Sequence, residues 1–309
     1  MKVFLVTGGC GFIGSHLAEA LLAAGHGVRV LDDLSSGKRE NLPPGASLIE
    51  GDVGDPAAVR RALAGVDGCF HLAAIASVAR GTREWLATHR TNLGGTVTLF
   101  DAIAIAAGAA PIPVVYASSA AVYGEPAALP LAEGAEKRPL SAYGADKYGS
   151  ELHAAVATRV HGIPTVGLRF FNVYGPRQDP NSPYSGVVSI FAERLARRLP
   201  ITVYGDGGQT RDFVFVADVV RALTAAMTLL PPGGPVFNVC TGVAVAVREL
   251  AERIGAICGV VPEIGYGPAR EGEIRHSVGD PERGRQALGL GPTVPIGEGL
   301  ARLLAGSRA

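Results

Sequence analysis

The sequence predicts an α/β fold, a doubly wound parallel sheet followed by a smaller mixed C-terminal lobe, and three observations predict it. Short β-branched runs alternate with alanine-rich helical stretches from Val3 to Val173. Glycines 8, 11 and 14 close the first run and open the first helix. Beyond Val173 the alternation gives way to segments broken by proline and glycine, "GPRQDPNSPYSG", "YGDGGQT", "PPGGP" and "YGPAREGE".

The elements follow in order: "VFLVTG", a helix from Phe12 to Ala24, "GVRVLD", "ASLIEGD" and a helix from about Pro56. Then come "GCFHLA", a long helical segment to about Ala107, "IPVVYASS", a helix carrying Tyr143 and Lys147, and "PTVGLRFFNV" as a further strand. Strand and helix in strict alternation imply a parallel sheet, and right-handed crossovers place helices on both of its faces. A later run, "PVFNVCTG", is expected to rejoin that sheet.

Composition narrows the function. The chain has 309 residues, 48% of them hydrophobic, and a formal net charge of +0 with no long charged block. Nothing in that charge pattern points to nucleic acid or an anionic membrane, so small-molecule chemistry is expected. The four cysteines, Cys10, Cys69, Cys240 and Cys258, are scattered through apolar segments without a CxxC pair, which fits reduced thiols and a cytoplasmic location. The apolar run at Met1 breaks on glycine too soon for a signal or membrane segment. The histidines show no metal-ligand spacing.

"TGGCGFIG" supplies a tight turn at Gly8, a close approach of phosphate to backbone at Gly11, and close helix packing at Gly14. The helix start offers free N–H groups and the positive end of its dipole to a pyrophosphate. Asp32 ends the second strand, where a carboxylate binds both ribose hydroxyls and repels a 2′-phosphate, favouring NAD over NADP. Together these make the pattern Rossmann-like. A purely structural turn, with Asp32 as a cap, is the alternative. Asp52 ends the third strand within reach of an adenine, though turn chemistry alone also selects an aspartate there.

In "PLSAYGADKYGSELHA", Tyr143 and Lys147 stand four apart, one helical turn over the other. A neighbouring ammonium favours the phenolate, which would let Tyr143 accept a proton from a substrate hydroxyl; an accidental surface pair is the alternative. Ser118 and Ser119 follow an apolar strand at the end where ligands collect in open α/β sheets.

"TGGCGFIG", "DVGD", "HLAA", "SSAAVYGE", "YGADK" and "LRFFNVYGPRQ" occur in an order that resembles the extended short-chain dehydrogenase/reductases, specifically the nucleotide-sugar epimerases, over nearly the whole chain. The resemblance implies an NAD-binding Rossmann domain at 1–172, rejoined by strands around 212–240, and a lobe at 173–309 that mainly binds a UDP-sugar. It implies Ser119, Tyr143 and Lys147 as catalytic residues. It implies a cofactor set of Gly8, Gly11, Phe12, Ile13, Gly14, Asp32, Asp33, Ser36, Gly37, Asp52, Val53, Leu72, Ala73, Ala74, Asn92, Tyr143, Lys147 and Phe170. For the substrate it implies Ser119, Tyr143, Asn172, Val187, Val188, Val203, Tyr204, Arg211, Arg270, Glu273 and Ser277. Arg211 and Arg270 suit a diphosphate through their planar fork; the alternative for Arg211 is an ion pair with Asp212 or Asp218. Core packing is the alternative for Val203 and Tyr204. A homodimer through a four-helix bundle of the long helix and the Tyr143 helix is also implied.

Relatives that eliminate water carry an acidic pair beside the catalytic serine; here Ala120 and Ala121 stand there. The resemblance therefore implies 4-epimerisation through a transient 4-keto sugar. Where glucose-restricted relatives carry a tyrosine, this chain has Ser277, which leaves room for an N-acetyl group and implies UDP-GlcNAc/UDP-GalNAc with UDP-Glc/UDP-Gal activity. The alternatives are a UDP-glucuronate or dTDP-sugar 4-epimerase and, from another class, a non-catalytic dinucleotide sensor. Ala76 and Phe170 depart from the family's common lysine and tyrosine.

Overall fold

A computed structural model describes residues 1–106, 111–179, 186–269 and 274–306. Arg270 and Glu273 lie outside the described residues. The strands are β1 (Val3–Thr7), β2 (Gly27–Asp32), β3 (Ser47–Glu50), β4 (Gly68–His71), β5 (Val114–Ser119), β6 (Thr165–Phe170), β7 (Asn172–Tyr174), β8 (Ile201–Tyr204), β9 (Thr210–Arg211), β10 (Phe213–Phe215), β11 (Val236–Val239), β12 (Val245–Ala246), β13 (Ile264–Gly267) and β14 (His276–Ser277). The helices are α1 (Phe12–Ala23), α2 (Pro56–Leu63), α3 (Val78–Arg83), α4 (Trp85–His89), α5 (Gly95–Ala106), α6 (Ala142–His161), α7 (Val187–Ala196), α8 (Val216–Leu229), α9 (Val247–Cys258), α10 (Glu282–Leu288) and α11 (Ile296–Gly306).

Seven strands form one sheet in the order β11-β6-β5-β4-β1-β2-β3. Every pairing in it is parallel. Its central strands are buried along most of their length because both faces are covered. One face packs with Leu17, Leu21, Val219 and Leu223 of α1 and α8. The other packs with Val59, Leu99, Ile103 and Ala154 of α2, α5 and α6. A third core gathers α7, α9, α11 and β8 around Phe191, Leu250 and Leu300. The chain winds outward in both directions from β1 and β4, and a crevice opens where those neighbours diverge.

Two expected elements divide. The helical stretch before Ala107 is broken into α3, α4, one π-helical turn at Arg90–Gly94, and α5. At the π turn the Thr96 hydroxyl donates to the Asn92 carbonyl at 2.7 Å, while Asn92 Oδ1 accepts from the Ile75 N–H at 2.8 Å. Side-chain bonds of this kind compete with the regular ladder. The strand read as "PTVGLRFFNV" ends at Phe170; Asn172 leaves the main sheet and begins β7, which pairs with β10. Cys10, Cys69 and Cys240 are buried, Cys258 is half-buried, and all are free thiols. Among the described residues, no helix is long and apolar enough to cross a membrane.

Candidate active site

The turn after β1 is shaped by steric necessity. Gly8 has φ +71°, and a Cβ on it would fall 2.8 Å from the Ala73 nitrogen; one on Gly14 would fall 2.2 Å from the Gly8 carbonyl oxygen. Only glycine lets α1, the turn and the end of β4 approach this closely. Gly11 caps α1 with no side-chain hydrogen bond, so Phe12, Ile13 and Gly14 open the helix without a capping side chain over their amides. Asp32 is buried and accepts from the Cys10 and Leu34 N–H groups, each at 2.9 Å. Burial pushes its carboxyl up, and those two N–H bonds oppose the shift. Gly37 packs against that carboxylate, with Ser36 exposed beside it. Asp33 is turned to Ser35, accepting from its N–H and hydroxyl.

Asp52 is exposed and accepts from the Gly54 N–H at 2.7 Å, the local turn that its residue type favours. Val53 is buried, and Leu72, Ala73 and Ala74 line the exit of β4, half-buried. Asn92 is buried and pins Ile75 through both amide atoms. Phe170 is buried at the end of β6. The bare helix start, a glycine cradle that a Cβ would fill, and the buried Asp32 together fit a dinucleotide: pyrophosphate at Gly11–Gly14 and ribose at Asp32.

Across the crevice, α6 begins at Ser141, whose side chain accepts from the Gly144 N–H at 3.0 Å and caps the helix. Gly144 is needed because a Cβ there would fall 2.6 Å from the Ala121 carbonyl oxygen. The helix thereby seats directly on the 3₁₀ turn Ala120–Val122 that follows β5. Ser119 Oγ accepts from the Ala121 N–H at 3.2 Å, and its hydroxyl opposes the upward shift of the Tyr143 phenol. Lys147 is buried, with Nζ donating to the Ala117 carbonyl at 2.8 Å and standing 5.9 Å from the centre of the Tyr143 ring. The structure thus brings Ser119, Tyr143 and Lys147 together.

Their electrostatics differ from the expectation. Burial pushes the Tyr143 phenol above its ordinary value, opposed by the Ser119 hydroxyl. The same burial pushes Lys147 down to about 8, with Asp146 opposing. Desolvation penalises both charged forms, and it outweighs the attraction expected between them. His71 at the end of β4 is also held neutral, pushed to about 3 first by burial and then by Lys147.

The expected substrate residues converge from distant strands. Asn172 is exposed on β7, its N–H bonded to the Asp212 carbonyl at 2.9 Å. β14 pairs with β9 so that Ser277 lies in register with Arg211. Arg211 Nη1 donates to the Thr210 and Arg275 carbonyls at 2.9 and 3.3 Å. The acids proposed as its alternative partners are engaged elsewhere. Asp212 accepts from Thr241, Gly242 and Gly279, while Asp218 accepts from Arg221 and Val294. Val203 is buried and Tyr204 exposed on β8; Val187 and Val188 open α7, half-buried and buried.

Sequence reasoning assigns no role to Glu151, although the spacing 143, 147, 151 puts it on the Tyr143 face of α6. That repeat in an alanine-rich helix was the available signal.

A family model described as "NAD dependent epimerase/dehydratase family" matches residues 4–240. A UDP-glucose 4-epimerase of Mycolicibacterium smegmatis is 40% identical over 311 residues, spanning 96% of each chain. A UDP-glucose 4-epimerase of Thermus thermophilus, solved in complex with NAD, superposes with a TM-score of 0.90 at 38% identity, covering 99% of both chains. A UDP-N-acetylglucosamine 4-epimerase from Methanobrevibacter ruminantium, in complex with UDP-N-acetylmuramic acid, superposes with a TM-score of 0.93 at 34% identity, covering 99% of this chain and 98% of that one.

Proposed function

The chain belongs to the NAD-dependent epimerase/dehydratase family, with NAD as its cofactor, and from that premise we propose that it interconverts the C4 epimers of a UDP-sugar. The observation that carries this reading is Ser119, Tyr143 and Lys147 gathered beside Ala120 and Ala121, a site with a base and with alanines at the two positions where relatives that eliminate water carry an acidic pair. In this reading residues 1–172 hold NAD and 173–309 mainly hold the nucleotide sugar.

Tyr143 accepts the proton of the sugar 4-hydroxyl while the Ser119 hydroxyl orients that oxygen. Tyr143 sits in the first turn of α6, where the helix dipole favours the phenolate. Lys147 Nζ, held at the Ala117 carbonyl, would hold the nicotinamide ribose. Bound NAD supplies the hydride acceptor for C4 and the donor for its return. The 4-keto sugar turns about its diphosphate and presents its other face, and Tyr143 gives the proton back. Arg211 grips the diphosphate beside Asn172, with Arg270 as a second grip and Glu273 at the uridine ribose; Val187, Val188, Val203 and Tyr204 enclose the uracil end.

Ser277 carries the sugar preference, UDP-GlcNAc over UDP-Glc with both accepted, because its small side chain in register with Arg211 leaves room beside C2 and offers a hydroxyl to an amide. Separate incubations with UDP-GlcNAc, UDP-Glc and UDP-glucuronate, with the C4 epimers resolved, test the reading. Conversion of UDP-GlcNAc at the highest kcat/KM supports it; conversion of UDP-glucuronate alone replaces it. We also propose a homodimer through α5 and α6. Val97 and Ile105 on α5 and Leu152, Val156 and Val160 on α6 are exposed apolar side chains that a helix-on-helix contact would cover. Sedimentation of the holoprotein distinguishes one chain from two.

A further inference from the structure

Behind the groups just assigned lies a buried charged cluster that the chemistry does not use. Glu151 shares the helix face of Tyr143 and Lys147, and its side chain is 5% exposed. It accepts from Ser118 Oγ at 2.5 Å on β5. It also accepts a bidentate pair from Arg169 on β6, Nε to Oε1 at 2.8 Å and Nη2 to Oε2 at 2.7 Å. Arg169 is itself fixed, donating from Nη1 to Tyr123 Oη at 2.7 Å and to the Glu133 carbonyl at 3.0 Å. Tyr123 in turn donates to Asn238 Oδ1 on β11 at 2.7 Å. Three adjacent strands are thus keyed to one carboxylate.

Consecutive residues at the end of β5 meet successive turns of one helix. The Ala117 carbonyl receives Lys147 and the Ser118 hydroxyl meets Glu151, while the hydroxyl of Ser119, the next residue, acts on the Tyr143 phenol. The Lys147 contact ends a flexible four-carbon stem and tolerates sliding. The Ser119 contact is the one chemistry must leave free to change partners. Only the Glu151 contact is both rigid and unused. Burying two charges is costly, and apolar side chains of equal volume would hold the helix as firmly. A planar bidentate pair adds direction, which apolar packing lacks.

We propose that Glu151, braced by Arg169, is a positioning residue that sets the register of α6 against the end of β5 and so delivers Tyr143 to Ser119. This rests on the reading of Tyr143 as the base. Displacing a reacting group by about 1 Å costs on the order of 100-fold in rate.

Ser118→Ala is the decisive variant, because it leaves the Glu151–Arg169 pair intact and removes only its tie to β5. Its kcat for UDP-glucose is expected to fall about 10-fold or more, with KM within about twofold and bound NAD per chain unchanged. With Tyr143 displaced from Ser119, the phenolate loses the influence that opposes its upward shift. Both the rising limb of kcat against pH and the Tyr143 phenolate absorbance, read against Tyr143→Phe, therefore move to higher pH. Glu151→Gln moves both further in the same direction. Were Ser118→Ala to keep kcat within about twofold and leave the Tyr143 titration in place, the proposal would be overturned even if the melting temperature fell, since the cluster would then only stabilise. A Glu151→Gln protein that fails to fold leaves the decision with Ser118→Ala. The phenolate titration needs no turnover. A wild-type protein that converts no UDP-sugar would defeat the functional reading, while the positioning role would still stand or fall on that titration.

Discussion

In the proposed reading the phosphate-binding turn of the cofactor end belongs to one strand–helix–strand unit, Gly8 to Asp32, where glycines at 8 and 14 let the backbone approach closely. The proposed substrate end draws Asn172, Arg211 and Ser277 from three strands far apart in sequence, side chains placed by pairing between short strands. The first is constrained by geometry: a Cβ added at Gly8 or Gly14 collides with backbone. The second is adjustable, because a side chain can change without moving the backbone that carries it. The difference implies that changes at the first end cost cofactor and fold, while changes at the second shift affinity and selectivity.

The largest effect belongs to the centre that serves both ends. Tyr143→Phe should lower kcat by about 100- to 10,000-fold, the usual worth of a general base, with bound NAD and melting temperature unchanged; steady-state assays and nucleotide content measure this. Next comes Gly14→Ala, whose Cβ would meet the Gly8 carbonyl oxygen at 2.2 Å. Overpacking should destabilise the protein by about 3 kcal/mol and strip bound NAD, read by denaturant melting and cofactor content. Retention of NAD in that variant would break the contrast. Arg211→Ala should raise KM for a UDP-sugar by about 10- to 100-fold, as expected for a charge-assisted contact, with little change in kcat.

The pH dependence of stability sharpens the account of the centre. Lys147 is pushed to about 8 from 10.5, so between those values the unfolded chain holds more protons than the folded one. Stability from this group therefore rises as pH climbs from 8 towards 10.5. Wild-type protein should gain about 2 kcal/mol relative to Lys147→Met between pH 8 and 10, measured by urea midpoints on cofactor-free protein. The smallest effect is Ser277→Tyr, which should cut kcat/KM for UDP-GlcNAc about 10-fold relative to UDP-Glc. Equal losses on both sugars would remove Ser277 as the selective residue.

The same contrast explains what was legible in the sequence. The parallel sheet, the glycine turn and Asp32 could be read directly because each depends on local periodicity and spacing. The Tyr143 and Lys147 pair could be read from a four-residue interval. The break at Phe171, which sends Asn172 out of the main sheet, could not, because its cause is pairing with β10, forty residues on by sequence numbering. The π turn at Arg90–Gly94 depends on Asn92 finding Ile75. The sign of the Tyr143 shift was missed for a similar reason: spacing shows that a lysine is near, but burial is a property of the folded whole. Glu151 was hidden because its partners Ser118 and Arg169 come from two other strands.

The central claim is that C4 is oxidised and then reduced within one binding event, with the same hydrogen returned to it. UDP-glucose carrying deuterium at C4, incubated with the holoprotein in ordinary water and followed by NMR, tests this directly. The account predicts UDP-galactose that keeps deuterium at C4. UDP-galactose with that position filled from water would contradict it.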